Sequence, residues 1–69
     1  MKLETIKTDC NEIYVEAEDF TVTVNTWSNH EGASIMVHGK GNALRLAGAF
    51  RWEEIDVLLA AFAAARAGI

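Results

Sequence analysis

The sequence predicts an α+β fold of the form ββββα: an antiparallel sheet of four to five strands, then one C-terminal helix packed on one face. Three observations predict it. Apolar and polar residues alternate with period two from Ile13 to Asn25 and again around Ile35–Leu46, as half-buried strands do. The alternating segments are joined by short stretches rich in Gly, Asn and Asp, which favour antiparallel neighbours. The last stretch, RWEEIDVLLAAFAAARAGI, has helical spacing.

Taken in order, Leu3 to Lys7 is a short first strand of weak alternation, closed by a turn at Asp9-Cys10-Asn11. Ile13, Val15 and Ala17 alternate with Tyr14, Glu16 and Glu18 in the second strand. A tight turn at Glu18-Asp19 leads to the third, where Phe20, Val22 and Val24 alternate with Thr21, Thr23 and Asn25. The β-branched residues here suit a pleated surface. Asn29-His30-Glu31-Gly32 turns the chain into a fourth strand, Ser34 to His38, with Ile35 and Val37 on one face and Met36 and His38 on the other. Gly39-Lys40-Gly41-Asn42 is a further turn. Leu44 and Leu46 flank Arg45 in a fifth strand, and Ala47-Gly48-Ala49 leads out.

Strands thus lie within 2–49 and the helix at about 51–67, in a single domain over 1–69. Glu53, Glu54 and Asp56 near the helix start and Arg66 near its end complement the macrodipole. Gly68 fits the left-handed position after the last turn, with Ile69 placed to fold back on it.

The helix is apolar on two sides. Trp52, Ile55, Leu59, Phe62 and Arg66 follow a 3-4-3-4 spacing, a stripe expected to cover Ile13, Val15, Phe20, Val22, Val24, Ile35, Val37, Leu44 and Leu46 of the sheet. Behind it, nine residues from Val57 to Ala65 run without a polar break. A helix apolar all round is normally buried all round, so Val57, Leu58, Ala61, Ala64 and Ala65 are expected to meet the same helix of a second copy, giving a two-fold homodimer. Size points the same way. A chain of 69 residues is near the lower limit for a self-sufficient core, and its single cysteine, Cys10, excludes an internal disulfide.

Alternation puts the opposite row, Tyr14, Thr21, Thr23, Asn25, Trp27, Met36, His38 and Arg45, on the uncovered face of the sheet. Aromatic, Met and Arg side chains are enriched at interaction hot spots, which makes Tyr14, Asn25, Trp27, Met36, His38 and Arg45 the candidate binding residues. No catalytic group is assigned. Gly39-Lys40-Gly41 continues into neither a P-loop nor a dinucleotide fingerprint, and Ser28 and Ser34 near His30 have neither acid partner nor oxyanion hole. Cys10, His30, Glu31 and His38 do not have the spacing of a metal site, so neither metal nor other cofactor is expected.

The net charge is −4 and unevenly spread: two lysines face seven carboxylates in residues 1–31, and four cations face three carboxylates in residues 32–69. This disfavours binding built on neutralising many phosphates. The opening MKLETIKTDC lacks the apolar core of a signal peptide and no segment approaches a membrane span, so a cytoplasmic location is expected, with no membrane partner.

The stretches VTVNTWSNHEG (22–32) and NALRLAGAFRWEEIDVLLAAF (42–62) resemble the positive-cofactor-four family of single-strand DNA-binding coactivators. The resemblance implies an antiparallel sheet, a C-terminal helix that dimerises, Trp52 as the tryptophan of the first helical turn, and Trp27 and Arg45 as sheet-face contacts to nucleic acid. The chain departs from that family in lacking most of the phosphate-gripping basic residues.

The leading expectation is therefore a small, acidic, non-enzymatic binding protein that acts as a homodimer on a protein partner. In size and acidity it resembles the inhibitors that phages and mobile elements direct at host proteins. The alternative is single-stranded nucleic acid or nucleotide binding, with Trp27 and Tyr14 stacking bases and Lys40, Arg45 and His38 meeting phosphate.

Overall fold

The computed structural model describes residues 4–9 and 11–68, with side chains from residue 11 onward. It shows an antiparallel five-stranded sheet followed by one C-terminal helix. The strands are β1 (Glu4–Asp9), β2 (Glu12–Ala17), β3 (Phe20–Thr26), β4 (Gly32–His38) and β5 (Leu44–Arg51), and the helix is α1 (Trp52–Arg66). Strand order follows the chain, β1-β2-β3-β4-β5. Each strand returns beside its predecessor because the connections are too short for a crossover. Leu3, Cys10 and Ile69, to which the sequence assigned a strand start, a turn and a folded-back cap, lie outside the described residues.

Register follows the alternation of side chains. Ile13 pairs with Val24 and Val15 with Val22, and Val22 and Val24 pair in turn with Val37 and Ile35. Val37 pairs with Leu46 and Ala33 with Phe50, which carries one apolar face across β2 to β5. A one-residue slip would turn this whole set to the other side, so the pattern itself pins the register. β5 runs further than expected, through Ala47-Gly48-Ala49 to Arg51. These small residues have poor strand propensity, but β4 supplies a full partner from Gly32 to His38.

The helix follows β5 without a loop. Its start has no side-chain N-cap; instead the Glu54 carboxylate accepts the Arg51 N–H at 2.9 Å, and the Glu31 carbonyl accepts the Trp52 N–H at 3.2 Å. The Trp52 indole Nε1 also donates to the His30 carbonyl at 3.0 Å. The first residue of α1 is thereby tied to the β3–β4 loop, and Trp52 serves as a bracket there and not as a cover for the apolar face. Trp52→Phe, which keeps the ring and loses the donor, is expected to cost about 1 kcal/mol, and Trp52→Ala about 2 kcal/mol, in urea unfolding followed by far-UV circular dichroism. Equal stability of Trp52→Phe and the parent chain would show that the indole bond contributes nothing.

Covering of the sheet is where the fold departs from expectation. Among the described residues only Ala17 and Ala33 are buried hydrophobics, and no large side chain is fully buried. The helix lies closest to β5, the strand it leaves. Between helix and sheet lies a cleft of about 400 Å³ lined by Val22, Val24, Ile35, Val37, Leu46, Phe50, Ile55, Leu58, Leu59 and Phe62. Leu59 and Phe62 remain 61% and 66% exposed although they border it. The Cα radius of gyration of 13.1 Å exceeds the ~11 Å expected of a compact chain of 69 residues.

Candidate functional site

The face of the sheet away from the helix is built by the alternate residues of β2, β3 and β4. One row runs Tyr14, Thr23, Met36, and the next Glu16, Thr21, His38. A third runs Glu12, Asn25, Ser34, in which Asn25 Nδ2 donates to Glu12 Oε2 at 3.1 Å. Threonines in the central strand keep the middle of the face flat, while Tyr14 and Met36 rise on either side. Met36 is 43% exposed, a wet position for an apolar side chain.

At one end this face deepens into an open concavity of about 380 Å³. Its floor is Tyr14, Glu16, Thr21, Thr23 and His38, and its walls are the two turns, Glu18-Asp19 on one side and Gly39 to Asn42 on the other. The second wall is a single 3-10 turn over Lys40–Asn42, with Gly41 at φ +71° and Asn42 at φ +61°. Both residue types tolerate the left-handed region, which lets the chain curl back over His38. The sequence identifies this segment as a turn, but its role as a wall depends on the β2–β3 turn lying at the same end of the sheet.

The concavity is acidic on balance, with Glu16, Glu18 and Asp19 set against one lysine, Lys40, in the second wall. Among the described residues no cation lies within salt-bridge distance of Glu16, Glu18 or Asp19; the ion pairs present join Arg51 to Glu53 and Glu54 at 3.5 and 3.9 Å. The Tyr14 hydroxyl donates to Glu16 Oε2 at 3.4 Å. Desolvation of the phenol, then the charge of Glu16 and this hydrogen bond, raise the Tyr14 pKa above its ordinary value of 10.0. The raised value means that the native state holds the phenolic proton more tightly than the unfolded chain. The resulting contribution is present below pH 10 and is lost as pH rises through the native midpoint. Alkaline titration of Tyr14 by ultraviolet difference absorbance is expected to show a lower midpoint in Glu16→Gln than in the parent. An identical midpoint would exclude Glu16 as a cause.

The other expected binding residues are placed as follows. Trp27 sits at the end of β3, half-buried, with its indole Nε1 3.3 Å from the Ser34 hydroxyl that accepts its proton. It therefore borders the same face at the end opposite the acidic turns. Arg45 is drawn away. The pairing of β4 with β5 shifts between Val37 and His38, where Val37 opposes Leu46 but His38 opposes Leu44. This irregularity leaves Arg45 out of the ladder, and its guanidinium lies 6.0 Å from the centre of the Phe20 ring. Tyr14, Met36 and His38 are thus brought together, with Asn25 and Trp27 further along, and Arg45 is apart from them.

Of the residues expected on the second face of the helix, Val57, Ala61 and Ala65 are exposed and Ala64 is half-buried. Leu58 lines the cleft beside Ile55, because positions three apart share one side of a helix. Among the described residues no three His, Cys, Asp or Glu side chains are grouped to hold a metal ion, and no helix is long and apolar enough to cross a membrane. No protein family, curated protein or solved structure matches this chain.

Proposed function

We propose that this protein is a non-enzymatic binding module that acts as a homodimer and takes a basic segment of a protein partner on the outer face of its sheet. The observation that carries this reading is the acidic concavity. Glu16, Glu18 and Asp19 border an open site floored by Tyr14 and His38, with Met36 exposed beside it. Three carboxylates that outnumber Lys40, around half-buried Tyr14 and exposed Met36, complement Lys- and Arg-bearing peptide, steering its approach while Tyr14 and Met36 supply contact area. A module of this kind suits inhibition or modulation of a host protein.

Nucleic acid is the less favoured reading: Lys40 and His38 do line the concavity, but three carboxylates beside them repel phosphate and Arg45 is turned away from the face. The test is a fluorescence-anisotropy titration with three labelled probes at low and high salt: a Lys/Arg-rich peptide, its Glu/Asp-rich counterpart and a single-stranded oligonucleotide. The proposal expects micromolar, salt-sensitive binding of the basic peptide alone. Binding of the oligonucleotide in preference to the basic peptide, or of none of the three, would overturn it.

A further inference from the structure

The two walls of the outer-face concavity carry opposite charge. The β2–β3 turn holds Glu18 and Asp19, with Glu16 beside it on the floor, whereas the β4–β5 turn holds Lys40. All four residues are exposed. Arg45 adds a second positive charge on the Lys40 side, because its guanidinium lies against Gly39 of the same turn. Among the described residues, neither Lys40 nor the three carboxylates enter an ion pair. The topology keeps the walls apart. The two turns stand two strand spacings from each other, about 10 Å, with Thr21 and His38 on the floor between them. Opposite charges thus face each other across a gap of about 380 Å³ that stays open to a guest. We infer that the concavity reads the order of charges in its partner: it takes an extended segment with a Lys or Arg against Glu18 and Asp19 and, two residues along, a Glu or Asp against Lys40.

This rests on the proposed function and narrows its basic segment to one that also bears a carboxylate at a set distance. Chain geometry sets that distance. In an extended segment, residues two apart project from the same side, with Cα atoms ~7 Å from each other. The long side chains of Arg and Glu add reach at both ends and bridge the remaining few ångströms to the two walls. Adjacent residues point to opposite sides, so a carboxylate next to the cation would face solvent instead of Lys40. Charge order and net charge then make opposite predictions. A uniformly basic segment satisfies Glu16, Glu18 and Asp19 but brings like charge up to Lys40 and Arg45. A segment of mixed charge satisfies both walls, although it carries less positive charge overall. Lys40 is on this account the specificity-determining residue: the carboxylates attract cations in general, and Lys40 chooses among them.

The test is a fluorescence-anisotropy titration at low salt with three labelled peptides that share a lysine-bearing frame. Their centres read Arg-Ser-Glu, Arg-Ser-Gln and Arg-Glu-Ser. The Arg-Ser-Glu peptide is expected to bind the parent protein about threefold more tightly than either of the others, the size of effect one exposed ion pair gives. Lys40→Gln is expected to reverse the order of the first two peptides, and Lys40→Arg to keep it. Lys40 is exposed, so the circular dichroism spectra of both variants are expected to match that of the parent. Tighter or equal binding of the Arg-Ser-Gln peptide by the parent would overturn the inference. So would an unchanged order in Lys40→Gln, or equal binding of the Arg-Glu-Ser peptide. In each of these cases basic peptides still bind, and the proposed function stands. Binding of none of the three would overturn the proposed function and this inference with it.

Discussion

Gly32→Ala is expected to lower the unfolding free energy by about 2–3 kcal/mol, whereas Gly39→Ala costs about 1 kcal/mol or less. Both glycines are buried, and neither has the positive φ that would make any side chain strained. The difference lies in what a new Cβ would touch. At Gly32, the first residue of β4, it would press on the Phe50 carbonyl oxygen, lie 2.9 Å from the Arg51 Cα and 2.8 Å from the Trp27 ring. Two of these three neighbours are backbone of the paired strand, which cannot retreat without breaking the Gly32–Arg51 pairing from which α1 departs. At Gly39 all the near atoms belong to the Arg45 side chain, which swings aside and gives up only its contact with Phe20. Urea unfolding of the two variants, followed by circular dichroism, checks the ranking. Equal losses would show that the β4–β5 junction is as pliant as an exposed arginine.

The second large effect concerns binding. With Glu16→Gln, Glu18→Gln and Asp19→Asn combined, affinity for the basic peptide is expected to fall about 30-fold, roughly 2 kcal/mol from three exposed charges worth up to ~1 kcal/mol each. These side chains are exposed, so the circular dichroism spectrum and unfolding midpoint are expected to stay near those of the parent. Raising salt from 0.05 to about 0.5 M is expected to weaken the parent toward the variant, since exposed charge pairs are screened within ~10 Å or less. An unchanged affinity in the triple variant would remove the acidic concavity as the recognition surface, whatever the oligomeric state.

How far the sequence could be read varied with the kind of signal. β2 and β3 were legible because Ile13-Tyr14-Val15 and Val22-Thr23-Val24 alternate cleanly, and such alternation has one structural meaning when a face is to be buried. The end of β5 was not, because Ala47-Gly48-Ala49 carry no alternation and become strand only through pairing with Met36, Ile35 and Ser34. Arg45 illustrates a second limit. Counting by twos assigns it to the face of His38, but the pairing irregularity beside His38 takes it out of the count, and irregularities of that kind arise from the fit of two strands. The acidic concavity was half visible. Its charges could be counted along the chain, but Glu18-Asp19 and Lys40-Gly41-Asn42 become facing walls only once β2, β3 and β4 are laid side by side.

The sequence by itself determined the class of fold, the order of its elements and the doubly apolar character of α1, because all three follow from local periodicity and short connections. Tertiary structure alone decided how α1 is held. Trp52 is bound to the carbonyls of His30 and Glu31 across the β3–β4 loop, and β5 runs directly into the helix, so the stripe of Ile55, Leu59 and Phe62 is anchored at its start and borders the open cleft beyond it. Periodicity reports which side of a helix is apolar. The distance at which that side comes to rest depends on hydrogen bonds between residues some twenty positions apart, and no pattern along the chain encodes it.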